Sequence, residues 1–133
     1  MTRFTIDAPT LLHLVTEGVE AHPDHQLVAP QAIRSQALQI LLDQVRAGEI
    51  TEKQARERHT ALTETKIRVL GDRMSRWTSF KVAREQGWGS TTAAEYVAVT
   101  LLQADALVAL DPELEKAAGG LVTLAPVGVL SKP

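Results

Sequence analysis

Two aspartates stand where the chain could gather anionic oxygen. Asp7 closes the short apolar run Phe4-Thr5-Ile6, and Asp111 closes the run Leu107-Val108-Ala109-Leu110. Each is followed at once by a proline-bearing helix start, Ala8-Pro9-Thr10 after the first and Pro112-Glu113-Leu114 after the second. Carboxylates at the carboxyl ends of parallel strands share one sheet edge, the edge on which α/β proteins bind ligands. Two aspartates on that edge, from opposite ends of the sequence, suggest a shared site. The histidines offer less. His22 and His25 flank Pro23 in a turn without a third ligand nearby, and His13 and His59 have no catalytic partner in sequence. Gly87-Trp88-Gly89 lacks the third glycine and the preceding strand of a phosphate-binding loop.

A second feature is electrostatic. Lys66, Arg68, Arg73, Arg76, Lys81 and Arg84 fall in one stretch with Asp72 as its single acid, although the whole chain carries a formal charge of -2. Such a block is either a footprint for phosphate, a solvated helix face, or a face paired with acidic segments of the same fold. Met74, Trp77 and Phe80 recur at three-residue spacing inside it, a stripe expected to serve as core or dimer interface more often than as a stacking platform.

The elements that must position these groups alternate. Strands are expected at Phe4–Asp7, Gln26–Ala29, Leu107–Leu110 and Leu121–Leu124, with Lys66–Leu70 as an edge strand. Helices are expected from Ala8 to about Glu20, from Pro30 to Gly48, from Thr51 onward behind a capping box with Gln54, from Asp72 to about Gln86, and through Gln103 behind Ser90, Thr91 and Thr92. A short helix follows Asp111. This alternation predicts an α/β three-layer sandwich around a small, mostly parallel sheet, as a single domain over residues 1–133. The 133 residues suffice for one core, and no apolar run approaches the length of a membrane span. Absence of cysteine excludes disulfides and thiolate metal sites and fits a cytoplasmic protein.

With these pieces placed, the chain resembles a PIN domain of the VapC toxin type over almost its whole length. The resemblance rests on the opening strand ending in Asp7 with Ala8 and Leu11-Leu12 behind it, and on Ala29-Pro30 before the second helix. It rests most on Ala94-Glu95-Tyr96-Val97-Ala98-Val99, Ala106-Leu107-Val108, and Asp111 with Leu114. It implies a magnesium- or manganese-dependent endoribonuclease, a toxin held by a cognate antitoxin, acting on RNA as a homodimer. It also implies that Asp7 and Asp111 are catalytic and metal-binding.

Two further acids of the family pattern are replaced. The second-helix acid, six residues after the proline, is Gln36, and the acid three residues before the tyrosine is Ala93. Gln36 offers a neutral carbonyl oxygen, and Thr91 and Thr92 offer hydroxyls for water or substrate. Glu95 lies about 200° around the helix from position 93 and does not stand in for it. The resemblance therefore implies a depleted metal site with weakly bound Mg or Mn and RNA cleavage that is weak or lost. An active Mg-dependent ribonuclease toxin and an unrelated small α/β binding module are the alternatives.

Overall fold

The computed structural model describes residues Met1–Pro133 and builds an α/β sandwich from four strands and six α-helices. In chain order these are β1 (Thr2–Ile6), α1 (Ala8–Glu17), β2 (His25–Pro30), α2 (Ile33–Arg46), α3 (Glu52–Glu64), β3 (Arg68–Leu70), α4 (Arg73–Gln86), α5 (Thr92–Gln103), β4 (Ala106–Val108) and α6 (Pro112–Ala118). A 3₁₀ turn over Val127–Ser131 closes the chain. No helix is long and apolar enough to cross a membrane.

All four strands are parallel, in the order β3-β2-β1-β4. Successive side chains along a strand face opposite layers, and the sheet is apolar on both sides. Phe4, Ile6, Leu27, Ala29, Ala106 and Val108 face the core shared with α1, α2 and α3. Leu107 faces the layer of α5 and α6 with Tyr96, Val97 and Leu114. Burial on both faces is what a parallel sheet requires of its sequence, and it explains why these strands read as short unbroken apolar runs.

The ends of the elements follow local chemistry. Thr51 and Gln54 form the reciprocal capping box, and Asp72 caps α4 by accepting from the Ser75 amide at 2.9 Å. The backbone and hydroxyl bonds from Ser75 to Asp72 hold that carboxyl below its ordinary range. α1 stops at Glu17, short of the expected Glu20, because Gly18 takes the left-handed C-cap at φ 66. Pro30 belongs to β2 and does not open α2, which starts at Ile33. Proline has no N–H to give, and the pairing is continued by Gln31, whose amide donates to Leu70 at 3.0 Å.

The expected strand at Leu121–Leu124 is a correction. It forms only isolated bridges, Leu107 with Leu124 and Gly119 with Val122, because Pro126 follows before a ladder can extend. The chain also leaves β4 at Val108, two residues earlier than expected, to turn across the end of β1.

Thr5 in β1 is fully buried and its hydroxyl has no partner. A buried hydroxyl without a hydrogen bond is destabilising by about 1–3 kcal/mol. Thr5→Val should therefore raise the unfolding free energy by about 1 kcal/mol in chemical denaturation. A loss of stability would show that the hydroxyl is satisfied.

Candidate functional site

The sheet order places β1 between β2 and β4, so the chain winds outward in one direction from β1 and returns on its other side. The crevice beyond the carboxyl ends of β1 and β4 is the topological switch point, where open α/β sheets bind ligands. Asp7 and Asp111 both stand there. They are directly linked: the Asp111 amide donates to Asp7 Oδ2 at 3.0 Å. The expectation that the two aspartates share one corner of the sheet edge is met.

Their environments differ. Asp7 is 2% exposed and serves as N-cap of α1, its Oδ1 accepting from the Thr10 amide at 3.0 Å. The Thr10 hydroxyl lies between Asp7 Oδ1 and the Val108 carbonyl, 3.1 Å from the latter. The Leu110 amide adds a longer bond to Oδ1 at 3.3 Å. A carboxylate offers about four lone-pair sites, so the donors from Thr10, Leu110 and Asp111 occupy most of what Asp7 has. Asp111 caps α6 by accepting from the Glu113 amide at 3.1 Å and is otherwise open to the surface.

Gln36 comes to the same corner from α2. Its Oε1 accepts the hydroxyl proton of Tyr96, which is buried on α5. Burial raises the Tyr96 phenol above its ordinary value of 10.0, and the charges of Asp7 and then Glu95 add to the shift, against the Ala8 amide, which lowers it. Tyr96 therefore stays protonated and holds the Gln36 oxygen. Ala93 packs its methyl against the cluster around Leu107 and Leu114. Thr91 and Thr92 are exposed at the start of α5, and neither hydrogen-bonds to Asp7, Asp111 or Gln36. The Ser90 hydroxyl donates to the Thr92 hydroxyl at 3.0 Å and accepts from the Thr92 amide at 3.1 Å, while the N-cap residue Thr91 makes no side-chain cap bond.

Glu95 lies elsewhere, as its angular offset from Ala93 requires. It borders a groove of about 520 Å³ beyond the ends of β2 and β3, together with Gln31, Gly71, Ser75, Arg76 and Ser79. None of the expected site residues lines that groove. Desolvation raises the Glu95 carboxyl above its ordinary value of 4.5. The sequence signal for this groove was weak, since Glu95 and Arg76 lie on different helices and only their packing brings them together.

The fit of a divalent ion can be judged from the donors. No group of three or more His, Cys, Asp or Glu side chains converges here or elsewhere. Asp7 is buried, with most of its acceptor sites taken by amides and a hydroxyl, and the amide oxygen of Gln36 accepts from Tyr96. Asp111, partly exposed, keeps one carboxylate oxygen without a hydrogen-bond partner. Such a set does not fit a resident magnesium or manganese ion, whose charge needs more than one open anionic ligand.

No family model matches the chain, and no curated protein matches it. Among solved structures it is similar to PAE2754 from Pyrobaculum aerophilum, at a TM-score of 0.69 and 20% sequence identity over 97% of this chain and 93% of that chain. Likeness at this identity shows the shared α/β fold and nothing finer.

Two outcomes follow from the geometry. Asp7→Ala should cost about 3 kcal/mol or more in denaturant unfolding, because several buried donors lose a charged acceptor together. Asp111→Ala, which removes a single cap, should cost about 1 kcal/mol. Equal costs would contradict the convergence of donors on Asp7. For Glu95, the raised folded-state value means that ionisation opposes folding at neutral pH. Glu95→Gln should then be more stable than the wild type at pH 7. That advantage should vanish as pH falls below 4.5, where the carboxyl is protonated folded and unfolded. A pH-independent difference in melting temperature would rule this out.

Proposed function

We propose that this chain is a PIN-like domain resembling VapC-type toxin endoribonucleases, with an acidic site too depleted for effective metal-dependent RNA cleavage. The observation that carries this reading is the state of Asp7. A catalytic metal acts by generating a nucleophile from bound water and stabilising developing charge on phosphate. Both tasks need carboxylate oxygens left open toward the ion. Here Asp7 Oδ1 accepts from Thr10 and Leu110 and Oδ2 from the Asp111 amide, which leaves little of the buried carboxylate open.

The other losses point the same way. Where the family pattern places acids, Gln36 is neutral and bonded to Tyr96, and Ala93 has no donor. Each lost carboxylate partner weakens binding of a divalent ion by a few kcal/mol, about tenfold for each 1.4 kcal/mol. Magnesium affinity is then millimolar or weaker. In this reading the domain has kept its sheet edge as architecture and acts through its surfaces rather than through hydrolysis.

The test is RNA cleavage with Mg²⁺ and Mn²⁺, paired with calorimetric metal titration. The wild-type protein should show no metal-dependent cleavage, and the double variant Gln36→Glu with Ala93→Asp should gain at least about tenfold in metal affinity. Cleavage by the wild type that Asp111→Asn abolishes would establish an active ribonuclease instead. Asp111→Asn is the informative variant because it leaves the Asp7 bonds in place.

A further inference from the structure

α4 carries an outer face that nothing else in the fold covers. Met74 is 67% exposed, Trp77 58% and Phe80 44%. Helical geometry sets Arg73, Lys81 and Arg84 on the same side, with Arg76 at its margin, while Ser75, Ser79 and Ala83 face the protein. Exposed apolar residues scattered singly need no explanation, but a contiguous aromatic patch marks an interaction site.

Two details say what covers it. First, the rings of Trp77 and Phe80 are stacked, with centroids 4.7 Å apart and planes within 10°, and no third ring continues the stack. A flat, ordered pair of this kind can accept another planar π-system without further ordering of the side chains. Second, the cations are free. The single ion pair in the molecule is His22 with Asp24 at 3.6 Å, so no carboxylate contacts Arg73, Arg76, Lys81 or Arg84. No acid of the fold forms an ion pair with this basic block, although the charge of Arg76 reaches the Asp72 carboxyl, so a solvated face and a phosphate footprint are the readings left. Glu85 is the only acid within α4.

We infer that the outer face of α4 binds single-stranded nucleic acid, bases stacking on Trp77 and Phe80 and phosphates meeting Arg73, Lys81 and Arg84. Positive charge along a strand path with interleaved aromatics is the common physical solution for single strands. A duplex hides its base faces in its own stack and gains only the phosphate contacts. A second copy of this chain docked symmetrically on the same face would set these cations against their own counterparts, which disfavours a dimer built on Met74, Trp77 and Phe80. The site does not involve Asp7 or Asp111 and stands or falls separately from the state of the acidic edge.

The experiment is fluorescence anisotropy of the full chain with labelled oligouridylate and oligothymidylate of about 12 nucleotides, and with a duplex of equal length. EDTA is present throughout, so cleavage and metal binding play no part. Single strands should bind with a log–log salt slope of roughly −2 to −3, as expected for three or four neutralised phosphates. Trp77→Ala should weaken binding about tenfold or more with little change in that slope. Arg73→Glu with Arg84→Glu should flatten the slope by about 1.4. Circular dichroism of each variant confirms that α4 is intact, as expected for exposed positions. No binding of either single strand, equal binding of the duplex, or affinities unmoved by both variants would overturn the proposal. So would a wild-type dimer that Trp77→Ala converts to monomer without any affinity for the oligonucleotides.

Discussion

The bonds to the Asp7 carboxylate tie together parts of the chain that are distant in sequence. Through Thr10 this side chain fixes the start of α1, and through the Leu110 and Asp111 amides it fixes the turn that follows β4. Those two segments form the corner where the sheet reverses its winding. A buried carboxylate is tolerated only when hydrogen bonds replace its water, and here backbone amides and one hydroxyl do so. Much else at the carboxyl edge follows. β4 stops at Val108 because the next residues must turn inward to present their amides, and Asp111 is left facing out as the cap of α6.

The same bonds set the chemistry available. Negative charge that is already solvated by fixed dipoles has less to offer a cation, and its oxygens have few directions left in which to coordinate one. Tyr96 completes the closure by keeping its proton and holding the Gln36 oxygen. At the corner that topology marks as a ligand site, these bonds join two strand-to-helix turns. Elsewhere on the molecule, α4 exposes aromatics and cations that no ion pair neutralises.

Much of this was legible in the sequence, for local reasons. Asp7, Thr51 and Asp72 sit at helix starts with a chemistry that dictates a cap, and their helices begin where those residues predict. Short apolar runs bounded by turns marked β1, β2 and β4, and the charged alternation of Lys66 to Leu70 marked the edge strand β3. Where the reading failed, a long-range contact decided. Pro30 reads locally as a helix start, yet it pairs opposite Leu70. Leu121–Leu124 reads as a strand, yet it meets the sheet at Leu107 alone through a ladder of one bridge. The full set of donors on Asp7 could not be read at all, because two of them come from residues about a hundred positions away. The Tyr96–Gln36 bond, which spans α5 and α2, was hidden for the same reason.

The central claim is that the Asp7 corner is a structural joint and not a seat for a divalent ion. Paramagnetic relaxation by Mn²⁺, read on the assigned backbone amides, tests it most directly, because a bound ion broadens every amide close to it. The Thr10, Leu110 and Asp111 amide signals should survive Mn²⁺ at concentrations that saturate a micromolar site, with any broadening spread over exposed acids. Selective loss of those three signals at micromolar Mn²⁺ would place an ion on Asp7 and contradict the account.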